Sequence, residues 1–173
     1  VILDSKGLHA WWAVAPHAHV EAKLSHPEIT LRGVGYHDAN CGDEPLEAAF
    51  STWNWSRASS SDRAAGLYDA KRLDGTALEM GRVFLADGRC EPLAAPRRVE
   101  LGRSRWWLPR TTRTDGGDAR VVRTLEDTPF YARSSLETSL AGQRMAAVHE
   151  SLSLSRFSSP VVQTMLPFRI RRG

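Results

Sequence analysis

Hydrophobic and polar residues alternate with a period of two along much of this chain, which is the pattern of β-strands. The alternation is cleanest over 18–24 and continues over 29–38. Further extended runs of this kind are 8–14, 76–85, 99–108, 119–125 and 132–140. The segment 144–157 fits one more long strand or a helix at its start, and 45–50 fits a short helical turn or a bend between strands. The pattern therefore predicts an all-β protein.

Short turn signals separate the extended runs. Asp-Gly or Gly-Gly pairs occur within 73–76, 86–89 and 115–118, and Ala-Gly occurs within 140–143. Glycine adopts the positive φ that tight hairpin turns require. Many sequential strands joined in this way predict an up-and-down antiparallel barrel or a strongly curved sandwich. No internal boundary is visible, so residues 1–173 are expected to form a single domain.

Composition supports a globular protein with a sizeable core. The 173 residues are 42% hydrophobic and 25% charged, which is ordinary for a folded domain. No apolar run approaches the roughly 20 residues of a transmembrane helix, and no secretory leader is evident. The chain starts at Val1, which favours a processed, trimmed or partial sequence. Together with Cys41 and Cys90 as two free thiols, these features favour a cytoplasmic, reducing location.

The net charge of +3 is mild, and arginines cluster at 97–110 and 167–173. A scattered basic surface is typical of solubility. The alternative is peripheral contact with an anionic membrane, with Arg105, Trp106 and Trp107 as an interfacial anchor. No nucleic-acid partner is predicted, because no basic stripe with interleaved aromatic residues is present.

Ionisable and aromatic side chains share faces of the predicted strands. His9 and Trp11 lie two residues apart, and so do Tyr36 and Asp38. If the two strands are neighbours with these faces turned inward, one cavity receives an imidazole, an indole, a phenol and a carboxyl.

Trp53 and Trp55 form a third pair on one face. Structural interpretations of all three pairs remain open at this point. The aromatic residues fit an ordinary core with hydrogen-bonded polar tips, and the histidine fits a structural role. Asp38 fits a carboxylate that caps a turn.

Other candidate groups are weaker. His17 and His19 share a face and His26 lies nearby, but no ligand set is complete at a characteristic spacing, so no metal is predicted. Glu137 and Glu150 fit positions that face water.

Several motifs resemble one known family. They are His9-Ala-Trp11, Gly-Tyr-His-Asp-Ala-Asn at 35–40, Gly-Asp-Glu-Pro-Leu-Glu at 42–47, Trp-Asn-Trp-Ser-Arg at 53–57, and the ending at 158–169. In these motifs the chain resembles the C-terminal portion of the carotenoid 1,2-hydratases (hydroxyneurosporene synthases), which are bacterial lyases of carotenoid biosynthesis. Family members resemble two successive lipocalin-like β-domains. The resemblance therefore implies a lipocalin-like up-and-down barrel that is the C-terminal half of a two-domain protein.

The resemblance also implies a reaction. Members of the family add water, without a cofactor, to the terminal 1,2 double bond of an acyclic carotenoid such as neurosporene or lycopene, which gives a 1-hydroxy carotenoid. A His, a Trp, a Tyr and an Asp are thought essential there. By position they fall on His9, Trp11, Tyr36 and Asp38.

The chemistry of hydration suggests a role for each group. An isolated alkene is a poor base, so a carboxyl kept protonated by apolar surroundings is needed, and Asp38 is expected to be that acid. The π faces of Trp11 and Tyr36 would stabilise the tertiary cation, and His9 would orient or deprotonate the water. Trp53 and Trp55 are expected to shape the substrate pocket.

Three other interpretations use the same fold. The chain resembles lipocalin-like polyene cyclases, which need cavity shape more than an acid. It also fits a module that binds a hydrophobic ligand without reaction, or an inactive part of a longer protein. The sequence indicates no oligomeric state.

Overall fold

The computed structural model describes residues 1–94 and 96–168, most of which lie in β-strands. The strands are β1 (His9–Ser25), β2 (Glu28–Gly42), β3 (Phe50–Ser59), β4 (Arg63–Arg72), β5 (Ala77–Leu85), β6 (Cys90–Pro92), β7 (Arg97–Arg103), β8 (Pro109–Thr114), β9 (Arg120–Asp127), β10 (Tyr131–Leu140) and β11 (Gln143–Ser153). Two short helices follow, α1 (Leu154–Phe157) and α2 (Pro160–Met165), and a 3-10 turn covers Leu46–Ala48. The all-β prediction is confirmed.

A long antiparallel hairpin is formed by β1 and β2. The segments 8–14 and 18–24, predicted as separate strands, belong to the single strand β1. Register shifts between Ala13 and Ala18 interrupt its pairing, which explains why the alternation appeared broken there. Cys41 lies near the base of the hairpin, and its thiol, like that of Cys90, is free and exposed.

Seven strands form the central sheet in the order β6-β5-β4-β3-β11-β10-β9. Neighbours along the chain pair throughout, except that β11 returns to lie beside β3. Within the described residues the sheet does not close into the predicted barrel. The β1–β2 and β7–β8 hairpins form separate two-stranded sheets, and the edge strand β6 is only three residues long.

The two faces of the central sheet carry different cores. On one face, Trp53 and Tyr68 join Trp11 of β1 in a largely aromatic cluster. On the other face, small and aliphatic residues such as Ala58, Leu67 and Leu136 form a second cluster. The alternation of side chains along each strand produces this division.

Three local predictions are settled by the structure. Of the two alternatives for 45–50, a short helical turn or a bend, the helical turn is present as the 3-10 turn. Of the two alternatives for 144–157, the long strand is confirmed by β11, and the helix α1 comes at the end of the segment and not at its start. The strand expected over 99–108 stops at Arg103, and a tight loop carries Trp106 and Trp107. The arginines of 169–173 lie outside the described residues.

Across residues 1–94 and 96–168, none of the helices has the length and apolar character needed to cross a membrane.

Candidate functional site

Asp38 on β2 lies at the centre of a compact hydrogen-bonded cluster. The indole Nε1–H of Trp11 donates to Asp38 Oδ2 over 2.7 Å, and the hydroxyl of Tyr36 donates to the same oxygen over 2.8 Å. The hairpin register pairs Trp11 with Asn40, so the indole reaches diagonally to the residue two positions before it. Three of the four side chains predicted from strand faces therefore meet directly.

Both hydrogen bonds to Asp38 end on one carboxyl oxygen. With Oδ2 accepting from an N–H and an O–H, Oδ1 is the oxygen free to carry a proton when the group is neutral. When the group is ionised, the same two donors stabilise its negative charge. This arrangement can release a proton and then hold the carboxylate that remains.

Tyr36 is fixed as a hydrogen-bond donor. Burial raises the pKa of its phenol far above the ordinary value, and the hydrogen bond to Asp38 and the negative charge of that carboxyl raise it further. The guanidinium of Arg57 lies 4.9 Å from the centre of the Tyr36 ring. Burial lowers the pKa of Arg57, which Tyr36 and Asp38 partly offset, and a guanidinium keeps its charge in proteins. Arg57 therefore adds a positive charge beside the cluster.

Aromatic rings surround this cluster. Trp11 is buried, with its ring centre 5.1 Å from that of Tyr68, and Trp55 lies 5.6 Å from Tyr36. Trp53 packs edge-on against Tyr68 at 5.2 Å. We call these five residues the aromatic wall: Trp11, Tyr36, Trp53, Trp55 and Tyr68.

His9 is buried at the edge of the aromatic core rather than bonded to Asp38. Its Nε2 lies 3.2 Å from the carbonyl oxygen of Glu44. Since a carbonyl only accepts, Nε2 carries the hydrogen and Nδ1 faces Asp4, 3.7 Å away. A Cβ at Gly42 would lie 2.8 Å from the ring, so glycine at this position permits the approach of the imidazole.

The carboxyl of Asp4 helps to fix His9. Burial by itself raises the pKa of Asp4, but hydrogen bonds from the backbone of His9, Leu8 and Lys6 bring it below the ordinary value. The backbone N–H of His9 donates to Oδ1 over 2.8 Å. The ring is therefore held beside a carboxylate.

A pocket of about 330 Å³ opens beside His9. Its polar lining includes Asn40, Glu44 and Glu150, and Trp53 and several aliphatic side chains complete it. Asp38 is absent from the described residues that line this pocket. The expected single cavity shared by His9 and Asp38 is thus replaced by a pocket that His9 shares with Glu150.

Glu150 is the main residue that the sequence analysis missed. The prediction that it faces water is wrong, because it is half-buried on β11 and pairs across the sheet with Trp55. Its Oε1 accepts a hydrogen bond from the hydroxyl of Tyr131 over 3.0 Å. The available signal was its position between Val148 and Leu152 on one strand face, where an apolar residue is the rule.

The pKa of Glu150 is raised above its ordinary value. Burial is the largest cause, and the negative charges of Asp38 and Glu126 add to it. The hydroxyl of Tyr131 and the charge of Arg133 act in the opposite direction. Glu137, in contrast, lies at the surface between Arg120 and Arg144.

The fold and this site define a class of protein: an open antiparallel β-sheet protein with a hydrogen-bonded carboxyl beside an aromatic wall. The family model described as carotenoid hydratase CrtC matches residues 1–173. The chain therefore belongs to the carotenoid hydratase CrtC family, which confirms the resemblance seen in the motifs.

Relatives described as acyclic carotenoid 1,2-hydratases match nearly all of the chain. An acyclic carotenoid 1,2-hydratase of Thiocapsa roseopersicina is 49% identical over 172 residues, which cover 98% of this chain and 42% of that protein. One from Cereibacter sphaeroides is 42% identical over 173 residues, covering 99% of this chain and 62% of that protein. The chain thus spans less than two thirds of the length of these relatives.

A solved structure from Nitrosomonas europaea, whose description names AttH, is similar in fold. It superposes with a TM-score of 0.57 at 15% identity and covers 84% of this chain and 52% of that one. This likeness concerns fold alone, and it agrees with the lipocalin-like all-β class expected from the sequence.

Proposed function

We propose that this chain hydrates the terminal 1,2 double bond of an acyclic carotenoid, with neurosporene or lycopene as substrate and a 1-hydroxy carotenoid as product. The observation that carries the proposal is the carboxyl of Asp38, held through Oδ2 by Trp11 and Tyr36. The description of the relatives as acyclic carotenoid 1,2-hydratases supports the same reaction. In the proposed mechanism these side chains act on the alkene and water without a cofactor.

The first step is transfer of a proton from Asp38 Oδ1 to C2 of the substrate. The π bond breaks, a C–H bond forms at C2, and a tertiary cation remains at C1. The faces of Trp11 and Tyr36 lie beside Asp38 and stabilise this cation by up to about 2 kcal/mol each where water is excluded.

The charge left on Asp38 is stabilised by groups that are already in place. The Trp11 N–H, the Tyr36 O–H and the nearby guanidinium of Arg57 all favour the carboxylate. Because these dipoles and charges are fixed before the reaction, they need no reorganisation as charge develops.

In the second step, water adds to C1 from the side of the pocket. His9 lines that pocket beside the incoming water; Asp4 accepts from the backbone N–H of His9, and the carbonyl oxygen of Glu44 accepts from its Nε2–H. Trp53 and Trp55 shape the apolar wall against which the polyene end lies.

Asp38→Asn tests the acid directly. The amide keeps the size of the side chain but has no acidic proton, so formation of 1-hydroxylycopene from detergent-dispersed lycopene is expected to fall at least about 100-fold. Asp118→Asn is the matched control, since the Asp118 side chain is 96% exposed, and it should leave the rate unchanged. Equal product from both variants would remove Asp38 from the mechanism, whereas lycopene binding without product in the unsubstituted chain would favour a binding module.

We also propose peripheral contact with an anionic membrane through the exposed loop of Trp106 and Trp107, which would bring the site to a substrate dissolved in lipid. Co-sedimentation with vesicles tests this contact. The expected arrangement as one lipocalin-like domain of a two-domain protein stays a prediction.

A further inference from the structure

The proposed mechanism lacks a base for the proton of the added water, and Glu150 is a carboxyl in the right pocket to serve as one. When water adds to the cation at C1, the oxygen carries one proton too many until a base removes it. The groups proposed so far leave this proton without a defined acceptor, because the Nε2 hydrogen of His9 is directed to Glu44 and its Nδ1 faces Asp4.

We propose that Glu150 is a second catalytic carboxyl, which takes the proton of the added water after Asp38 has given its proton to the alkene. The inference rests on the hydratase function proposed above. Glu150 lines the pocket that His9 shares, so water in that pocket meets a carboxyl on one side and an imidazole on the other.

Each step balances with two carboxyls. Asp38 loses a proton as the C–H bond forms at C2. The water oxygen then forms the C–O bond at C1, and its extra proton passes to the Glu150 carboxylate. The cycle starts with a proton on Asp38 and ends with a different proton, from the water, on Glu150, and proton exchange through solvent restores the starting state.

The surroundings of Glu150 suit this exchange. Tyr131 on β10 donates to Oε1, which leaves Oε2 for water. The charged and titratable groups that act on Glu150 are Asp38 on β2, Arg133 on β10 and Glu126 on β9, and His9 and Glu44 share its pocket.

Glu150→Gln is the decisive variant. The amide keeps a carbonyl oxygen that accepts from Tyr131, but it cannot take a proton from water, so the hydration rate is expected to fall about 100-fold. The pH–rate profile should lose one of its two limbs. Glu137→Gln is the matched control, since Glu137 lies at the surface on the neighbouring strand, and its rate and profile should equal those of the unsubstituted chain.

Tyr131→Phe separates a catalytic role from a structural one. The Tyr131 hydroxyl lowers the pKa of Glu150, so its loss should move the limb that belongs to Glu150 to higher pH. A merely structural role would lower the rate without moving the limb. An unchanged rate and profile in Glu150→Gln would overturn the inference.

A titration without substrate keeps the two proposals distinguishable. In ¹³C NMR of the carboxyl carbons, Glu150 should titrate above the exposed glutamates, because burial raises its pKa. A Glu150 midpoint equal to that of the exposed glutamates would overturn the buried carboxyl that the inference requires. If the unsubstituted chain and Glu137→Gln both yield no 1-hydroxy product, the hydratase proposal itself fails, and the catalytic role of Glu150 fails with it.

Discussion

His149 shows how strongly the interior of this fold changes a single side chain. The imidazole is 1% exposed, and its Nε2 lies 3.0 Å from the hydroxyl of Ser151. Burial, with a smaller contribution from the charge of Arg110, lowers its pKa to about 3. His149 is therefore neutral in the folded protein at every pH at which the protein is normally handled.

This residue predicts loss of stability in acid. In the unfolded chain a histidine takes up its proton near pH 6.5, whereas folded His149 does so near pH 3. Its contribution is complete above pH 6.5 and is lost as the pH falls, by about 1.4 kcal/mol per pH unit within that window. Between pH 7 and pH 5 the free energy of unfolding should fall by about 2 kcal/mol through this group.

Urea unfolding at pH 7 and pH 5 measures the effect. His149→Gln should lose less stability between the two pH values than the unsubstituted protein, because glutamine takes up no proton. His19→Gln is the control, since His19 is exposed and its replacement should leave the pH dependence unchanged. If His149→Gln keeps the full pH dependence, another group causes it.

At the level of single residues, spacing along strands predicted which side chains meet better than residue type did. The cluster of Trp11, Tyr36 and Asp38 follows from the rule that side chains two apart share a face, together with pairing of the two strands. Glu150 could not be found in this way, because its neighbours come from strands far away in the sequence and a lone glutamate in a strand normally faces water.

At the level of elements, strands covered on both faces escaped the sequence analysis. β4 is buried along seven consecutive positions, since the β1–β2 hairpin covers one side and β8 the other. A strand of this kind shows no alternation of polar and apolar residues. The sequence predicted a closed barrel, whereas the central sheet of the described residues is open at β6 and β9. Turn signals indicate how many hairpins form but not how the hairpins pack against one another.

The strand β8 is joined to the central sheet by a buried ion pair. Arg113 Nη2 lies 2.6 Å from Asp69 Oδ1, and its Nε donates to Oδ2 over 2.9 Å. The Nη1 group donates to the carbonyl of Pro96. Arg113 is 7% exposed and Asp69 8%. Arg113 Nη2 also lies 2.9 Å from Oε1 of the half-exposed Glu79, whereas Asp69 depends on Arg113 for its counter-charge.

Arg113→Met is expected to destabilise the protein by about 3–5 kcal/mol, because it leaves Asp69 buried without a counter-charge. Arg113→Met combined with Asp69→Leu should recover most of that loss. Urea unfolding measures both, with Arg120→Met as a control at an exposed ion pair, where at most about 1 kcal/mol is expected. A double variant no more stable than Arg113→Met would show that packing, not charge, holds β8.

At the level of the whole molecule, the site and the proposed membrane contact lie on different elements. The site is built from the β1–β2 hairpin and the aromatic face of the central sheet, whereas Trp107 lies in the loop between β7 and β8. The pairing of β3 with β11 that completes the sheet joins residues far apart in the sequence, Asn54 with Ser151 for example. No local pattern in the sequence carries that information.

The loop of Trp107 is built to expose an indole. Trp107 is 70% exposed and adopts φ 59°, a conformation that costs a bulky residue about 1–3 kcal/mol. Arg103 and Arg156 both donate to its carbonyl, and Ser104 accepts from the backbone beside it. Side chains therefore hold the strained loop in place.

Next to this loop, further exposed apolar side chains extend the apolar surface. Trp106 shares an apolar groove with α2 and the segment after it, where Leu166 and Phe168 are 43% and 78% exposed. Arg105 beside them is exposed as well. Indoles are favoured at the boundary between lipid and water, and each arginine near an anionic bilayer contributes about 1 kcal/mol.

Trp107→Ser tests the membrane contact against a matched exposed tryptophan. Loss of one inserted indole should weaken binding to vesicles of phosphatidylcholine and phosphatidylserine about tenfold or more. Trp12→Ser is the control, since Trp12 is 69% exposed on β1 and should bind as the unsubstituted chain does. Binding should also weaken in high salt, because screening removes the attraction of the arginines. Equal sedimentation of the two variants, or none of the unsubstituted chain, would show that this loop does not meet the bilayer.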